Sequence, residues 1–263
     1  MYELMGYSPN AVEYAKQSLA IWEKTSRDSR ELAMAHSHMC YALGSAWNGE
    51  EALAHARRAI SYAEKLPEPE RYTQFNLDRF LRNSGRARMA LGQYDEALQD
   101  FDQAERLHKI LYGPLNHYDG ECALERAKIA VRKGDLAKAH ELNEKSYKLV
   151  SMGKPTHSSV MASRYRQAVV CMQQGDDNAA LNHLQYALQI CQLNEAQRGD
   201  KGESARVKWR LAQIFDRKGF ENEAKLFRED AEETKRQLDG TGNYTSGIKG
   251  DDSWDVYLSI LCR

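Results

Sequence analysis

An all-α solenoid of antiparallel helix pairs is the fold this sequence predicts, on three observations. Six segments align without gaps: GYSPNAVEYAKQS, WNGEEALAHARRA, GQYDEALQDFDQA, GDLAKAHELNEKS, GDDNAALNHLQYA and GFENEAKLFREDA. They begin at Gly6, Trp47, Gly92, Gly134, Gly175 and Gly219, spaced by 41, 45, 42, 41 and 44 residues. Their sixth residue is always alanine (Ala11, Ala52, Ala97, Ala139, Ala180, Ala224) and their thirteenth always small (Ser18, Ala59, Ala104, Ser146, Ala187, Ala231). Gly and Pro together are only 22 of 263 residues, which leaves few breaks for a many-stranded sheet.

Each element has a local reason. The glycine that opens five of the six segments permits a tight turn, where φ may be positive. The small residues seven apart face one way after about two helical turns, so a neighbouring helix can approach closely. Second helices are expected near 8–24, 49–66, 94–112, 135–151, 176–193 and 221–237. Asp95 and Asp135 suit N-caps. Seven residues before the turn stand Cys40, Gly85, Ala127, Ala168 and Ala212, the small positions of first helices expected near 28–45, 70–91, 118–133, 158–174 and 203–218. A helix pair cannot bury both its faces alone, and stacked neighbours complete its core. Met1 to Met5 is too short for a first helix, so the array opens on a half unit. Residues 1–238 form the repeat array. Residues 239–263 depart from it: GTGNYTSGIKGDD reads as a flexible linker and SWDVYLSILCR as a short apolar segment that caps the last pair, folds back or serves as a recognition motif.

The pattern resembles tetratricopeptide repeats, in the kinesin-light-chain-like branch of about 42 residues per unit found in fungi and bacteria. The connectors YGPLNHYDG and MGKPTHSS, with His117 and His157, are similar to that branch's Gly-x-x-His-Pro loop, with Tyr118 or Ser158 in place of the proline. The resemblance implies a right-handed superhelix whose first helices line a concave face. It places the lining positions 13, 10, 6 and 3 residues before each turn anchor. These are Met34, Ser37, Tyr41 and Gly44; Arg79, Arg82, Arg86 and Met89; Glu121, Leu124, Lys128 and Val131; Ala162, Tyr165, Val169 and Met172; and Arg206, Trp209, Gln213 and Asp216.

Those twenty positions carry five basic and two acidic residues, a formal charge of +3 in a chain whose net charge is -1. Arg79, Arg82 and Arg86 share one helix face. The expected function is therefore a protein- or peptide-binding scaffold. Its partner would be an acidic segment with an aromatic or other apolar anchor, held by Tyr41, Arg79, Arg82, Arg86, Lys128, Tyr165, Arg206 and Trp209. Two alternatives stay open: Arg82 and Arg86 pair with Asp78, Glu121 and Glu125 as a structural face, or Trp209 packs on the next repeat. The carboxylate clamp of chaperone-binding relatives is matched only at Asn83. Glu121 and Glu125 stand where cations are needed, which argues against a chaperone-tail adaptor.

Other classes are disfavoured by the residues. The near-neutral charge carries no global footprint for nucleic acid. No apolar run approaches about 18 residues, so no membrane helix is expected, and the N-terminus does not read as a signal peptide. Five cysteines without CxxC suit free thiols and a cytoplasmic location. No phosphate-loop, zinc-protease or nucleophile-elbow motif occurs, and no cofactor or metal is expected. His36 and His38 diverge on their helix, and His55, His108, His140 and His183 are expected mostly outward. One enzymatic reading survives: a closed bowl lined by Tyr41, Arg82, Glu121, Glu125, Tyr165, Trp209 and Asp216 with acid–base groups. A purely structural or self-associating module is the third reading. Val12, Ala15, Leu19 and Trp22 form an apolar stripe on the half unit, which suggests a homodimer or an upstream segment there.

Overall fold

The computed structural model describes residues 9–26, 28–46, 48–67, 77–153, 155–198 and 201–240. Eleven α-helices and no strands occur among them: α1 (Pro9–Thr25), α2 (Ser29–Ser45), α3 (Gly49–Glu64), α4 (Leu77–Ala90), α5 (Tyr94–Tyr112), α6 (His117–Arg132), α7 (Leu136–Ser151), α8 (Ser158–Gln174), α9 (Asp177–Arg198), α10 (Gly202–Arg217) and α11 (Glu221–Gly240). After α1 they pair as α2/α3, α4/α5, α6/α7, α8/α9 and α10/α11, and the pairs stack in chain order as a right-handed superhelix. The expected starts near residue 70 for the second first helix, the Met1–Met5 opening and the segment from 241 to 263 lie outside the described residues.

The turn glycines act as expected. Gly92, Gly134, Gly175 and Gly219 have φ of 74°, 78°, 80° and 76°. A Cβ there would meet nothing, so the left-handed backbone alone demands glycine. Gly85 is small for a different reason: a Cβ on it would stand 2.7 Å from the Phe101 ring, which fills the crossing of α4 and α5. The alanine column Ala52, Ala97, Ala139, Ala180 and Ala224 is completely buried, as are Ala59, Ala104, Ser146, Ala187 and Ala231 seven residues on.

Caps mark the starts. Asp28, Asn48, Asn116 and Asp135 accept from the backbone N–H of Arg30, Glu51, Asp119 and Lys138. Asp95 does not cap. Gln93 holds the N-cap position without a side-chain bond, and Asp95, one turn inside α5, accepts from Lys133 Nζ at 2.7 Å. The α1 stripe of Val12, Ala15, Leu19 and Trp22 packs on a core cluster that includes Met39 and Leu43 of α2. The chain itself covers that stripe on at least one side.

Candidate partner-binding groove

First helices touch one another directly, α2 to α4, α4 to α6 and α6 to α8, so they form a continuous inner wall. A cavity of about 470 Å³ opens along it. Six cations, Arg86, Lys128, Arg132, Arg166, Arg206 and Arg210, and one acid, Glu125, line it, for a formal charge of +5. Tyr41, Tyr94, Met89, Val131 and Val169 give it apolar sides. A pocket of this size, mostly apolar with a few convergent charges, suits binding rather than filling.

The charges are arranged in two zones. Toward the N-terminal ends of α4 and α6 they cancel. Arg82 contacts Glu121 and lies 3.9 Å from Asp78 Oδ2, and Ser159 Oγ donates to Glu121 at 3.2 Å. The Arg82 guanidinium also sits 5.1 Å from the centre of the Tyr118 ring. Deeper, Arg86 Nε donates to Glu125 at 2.8 Å, its Nη1 donates to Asn83 Oδ1 at 3.3 Å, and Lys128 Nζ lies 3.0 Å from the second Glu125 oxygen. Burial presses the Glu125 carboxyl upward, but Lys128 and Arg86 outweigh it and hold it below the usual carboxylate range. Glu121 is held low against the same burial by Arg82 and Arg86.

Toward α8 and α10 cations exceed acids. Arg166, Arg206 and Arg210 line the cavity with no acid of its lining on their own helices. Arg210 Nη1 donates to Gln213 at 2.8 Å, and Arg166 and Arg206 lie 5.7 and 5.9 Å from the centre of the Tyr165 ring. Lys128 reports the imbalance: burial first, then Arg166 and Arg86, push its amine down to about 8 although Glu125 opposes them.

Residues 76–151 match the family Tetratricopeptide repeat. With five stacked helix pairs and a half unit around this groove, the deciding features coincide. The array is a tetratricopeptide-repeat solenoid. No curated protein sequence matches the chain. Its fold is similar to BtubC (BKLC) from P. vanneervenii, at a TM-score of 0.67 and 13% identity over 92% of this chain and 94% of that one. It is similar to the Q17M form of nearly identical TPR-like repeats of a putative kinesin light chain from Podosopora anserina, at 0.57 and 18% over 82% and 99%. It is also similar to the Rap conjugation gene regulator of plasmid pLS20 in complex with the Phr* peptide, at 0.63 and 15% over 87% and 63%. At these identities the likeness is one of fold.

Within the tetratricopeptide array, the sequence-predicted site residues separate into two groups. Tyr41, Arg86, Lys128 and Arg206 line the cavity together. Arg79, Arg82, Tyr165 and Trp209 do not. Arg79 Nη2 lies 3.2 Å from Met34 Sδ, Tyr165 is completely buried in the core of α8 and α9, and Trp209 packs with Leu238 and Ala231 of α11. The ion-pair alternative for Arg82 and Arg86 is what the helices display. Sequence reasoning missed Arg166, Arg210 and Asn143. A signal existed: the residues nine before each turn anchor are His38, Asn83, Glu125, Arg166 and Arg210, polar without exception. Four of these five line the cavity.

One histidine corrects the outward expectation. His108 of α5 is completely buried. Its Nε2 stands 3.0 Å from Asp78 Oδ2 of α4 and its Nδ1 2.9 Å from Asp119 Oδ1 of α6. Imidazole between two carboxylates ties three helices together and fixes the helix that carries the arginines. Burial raises the Asp78 carboxyl, but His108 and Arg82 reverse this and leave it low. Among the described residues, no three His, Cys, Asp or Glu side chains converge to hold a metal, and no helix is long and apolar enough to cross a membrane.

Proposed function

We propose that this chain is a scaffold whose concave groove binds an extended acidic segment carrying an apolar anchor. The excess of cations in the cavity carries this reading: six positive side chains and one acid face a space with apolar walls. Arginine forks recognise carboxylates bidentately. Tyr41, Tyr94, Met89 and Val131 offer the surface for an aromatic or aliphatic anchor. A Rap regulator of similar fold is seen in complex with a peptide, which supports a peptide as the ligand class.

The test uses the full chain and a fluorescein-labelled Glu-Asp-Glu-Trp-Glu-Asp peptide in anisotropy titrations. Binding weakens at least about tenfold between low and high salt, as expected for contacts made by charges. The Gln-Asn-Gln-Trp-Gln-Asn analogue binds at least about tenfold more weakly. Arg166→Glu and Arg210→Glu each reduce capture of the acidic peptide and leave helicity intact. Equal binding of both peptides would overturn the reading.

A further inference from the structure

Asn143 breaks the pattern of its own column. The tenth residue of the repeat segment is Ala56, Phe101 and Leu184 in three other units, all buried between helices. In α7 it is Asn143, only 1% exposed and lining the cavity beside Ala127. Neither atom of its side-chain amide has a hydrogen-bond partner among the described residues. The same holds for Arg86 Nη2 and for Arg166 Nε and Nη2, whose side chains line the same space. An apolar residue at this place would pack and leave nothing unmet, so the amide lowers the stability of the array.

The chemistry of these orphaned atoms is specific. An amide with an open donor and an open acceptor is the complement of one peptide group: the peptide C=O accepts from Nδ2 and the peptide N–H donates to Oδ1. A phosphate or an isolated carboxylate offers acceptors alone and leaves Oδ1 unmet. The open guanidinium donors of Arg86 and Arg166 suit a carboxylate. We propose that Asn143 holds the main-chain amide, and Arg86 and Arg166 the side-chain carboxylate, of one acidic residue in an extended peptide bound in this groove. The inference rests on the peptide-binding reading and adds its subsite.

Asn143→Leu tests it, because leucine is what the equivalent place in the next unit carries at Leu184. In the full chain this variant melts at the same temperature as the wild type or higher. It binds the Glu-Asp-Glu-Trp-Glu-Asp probe at least about tenfold more weakly, the scale of one lost polar contact that leaves its partner unmet. Calorimetric titration with tripolyphosphate, which has no peptide group, separates contact from shape: its affinity for Asn143→Leu stays within about twofold of wild type, and Arg166→Gln weakens both ligands. Peptide affinity unchanged by Asn143→Leu overturns the subsite, while the scaffold reading stands so long as the wild type binds the acidic probe. Equal losses of peptide and tripolyphosphate also overturn it, since Asn143 then only shapes the space. A wild type that binds no acidic peptide overturns both. If Asn143→Leu does not fold, Asn143→Ala is judged by the same peptide criterion.

Discussion

Arg86 and Glu125 meet at 2.8 Å across the junction of α4 and α6, with the carboxylate completely buried and the guanidinium 8% exposed. Glu125 also accepts Lys128, so one acid answers two cations. Burial works against the Arg86 charge, and Glu125 and Glu121 outweigh it and raise its affinity for the proton. Removing one partner of such a pair leaves an uncompensated buried charge. Glu125→Gln is expected to cost about 3–5 kcal/mol in urea unfolding while it tightens binding of an acidic peptide. A double-mutant cycle with Arg86→Met recovers part of the loss, because the stranded guanidinium is then gone.

Ala139 carries the second prediction. It is completely buried in α7 at the column that is alanine in every unit. Ala139→Leu overpacks the crossing and lowers stability by about 1–3 kcal/mol. Leucine tolerated within about 0.5 kcal/mol would mean that the backbones can separate there, against the close packing of such crossings.

Much of the fold was legible because its causes are local and periodic. Gly134 at φ 78° and the Ala139 that follows it are set by one turn and one crossing, repeated unit after unit. Ends were legible within a few residues where a cap marks them, as at Asp135, and less so where none does: α9 runs to Arg198, past the expected 193. The site was legible only in part. Whether Arg82 faces a ligand or Glu121 depends on how α4 lies against α6, a contact between residues 39 apart that no spacing within one helix encodes. His108 looked like an outward residue because its two carboxylates come from other helices. Arg166 and Arg210 stood one position from the assumed lining, on the same inner face.

His36 and His55 give a prediction at acid pH. Their Nδ1 atoms lie 2.8 Å apart, so one donates and the other accepts only while at most one is charged, and the His36 ring stacks on Tyr62. Burial, then His55 and Arg58, push His36 down to about 4 from 6.5. His55 is lowered as well, by burial and Arg58, with Glu51 and Glu23 opposing. A depressed histidine means that the unfolded chain binds more protons between these values. The contribution is present above about pH 6.5 and is lost as the pH falls toward about 4. His36→Gln should flatten the fall in melting temperature over that window. A wild-type melting temperature that does not change between pH 6.5 and 4.5 would rule the effect out.

Lys128 predicts the opposite slope at alkaline pH, and it connects stability to binding. Its amine is pushed from 10.5 to about 8 by burial, with Arg166 of α8 and Arg86 of α4 adding to it and Glu125 of its own helix opposing. Between these values the unfolded chain holds more protons than the folded one, so this group makes stability rise from about pH 8 toward about 10.5. Below about pH 8 the charged lysine stays crowded by two arginines. An anionic ligand relieves that crowding and favours the charged form, so binding takes up a proton near the amine's folded value. Peptide affinity should therefore fall as pH rises through about 8, while the apo array grows more stable over the same range. Lys128→Met removes both trends, and it lowers affinity at neutral pH because one cation of the groove is gone. Titrations of the acidic peptide at pH 7 and pH 9, in two buffers with different ionisation enthalpies, measure the proton uptake directly. An affinity that is flat across that interval in the wild type would place Lys128 outside the ligand's reach.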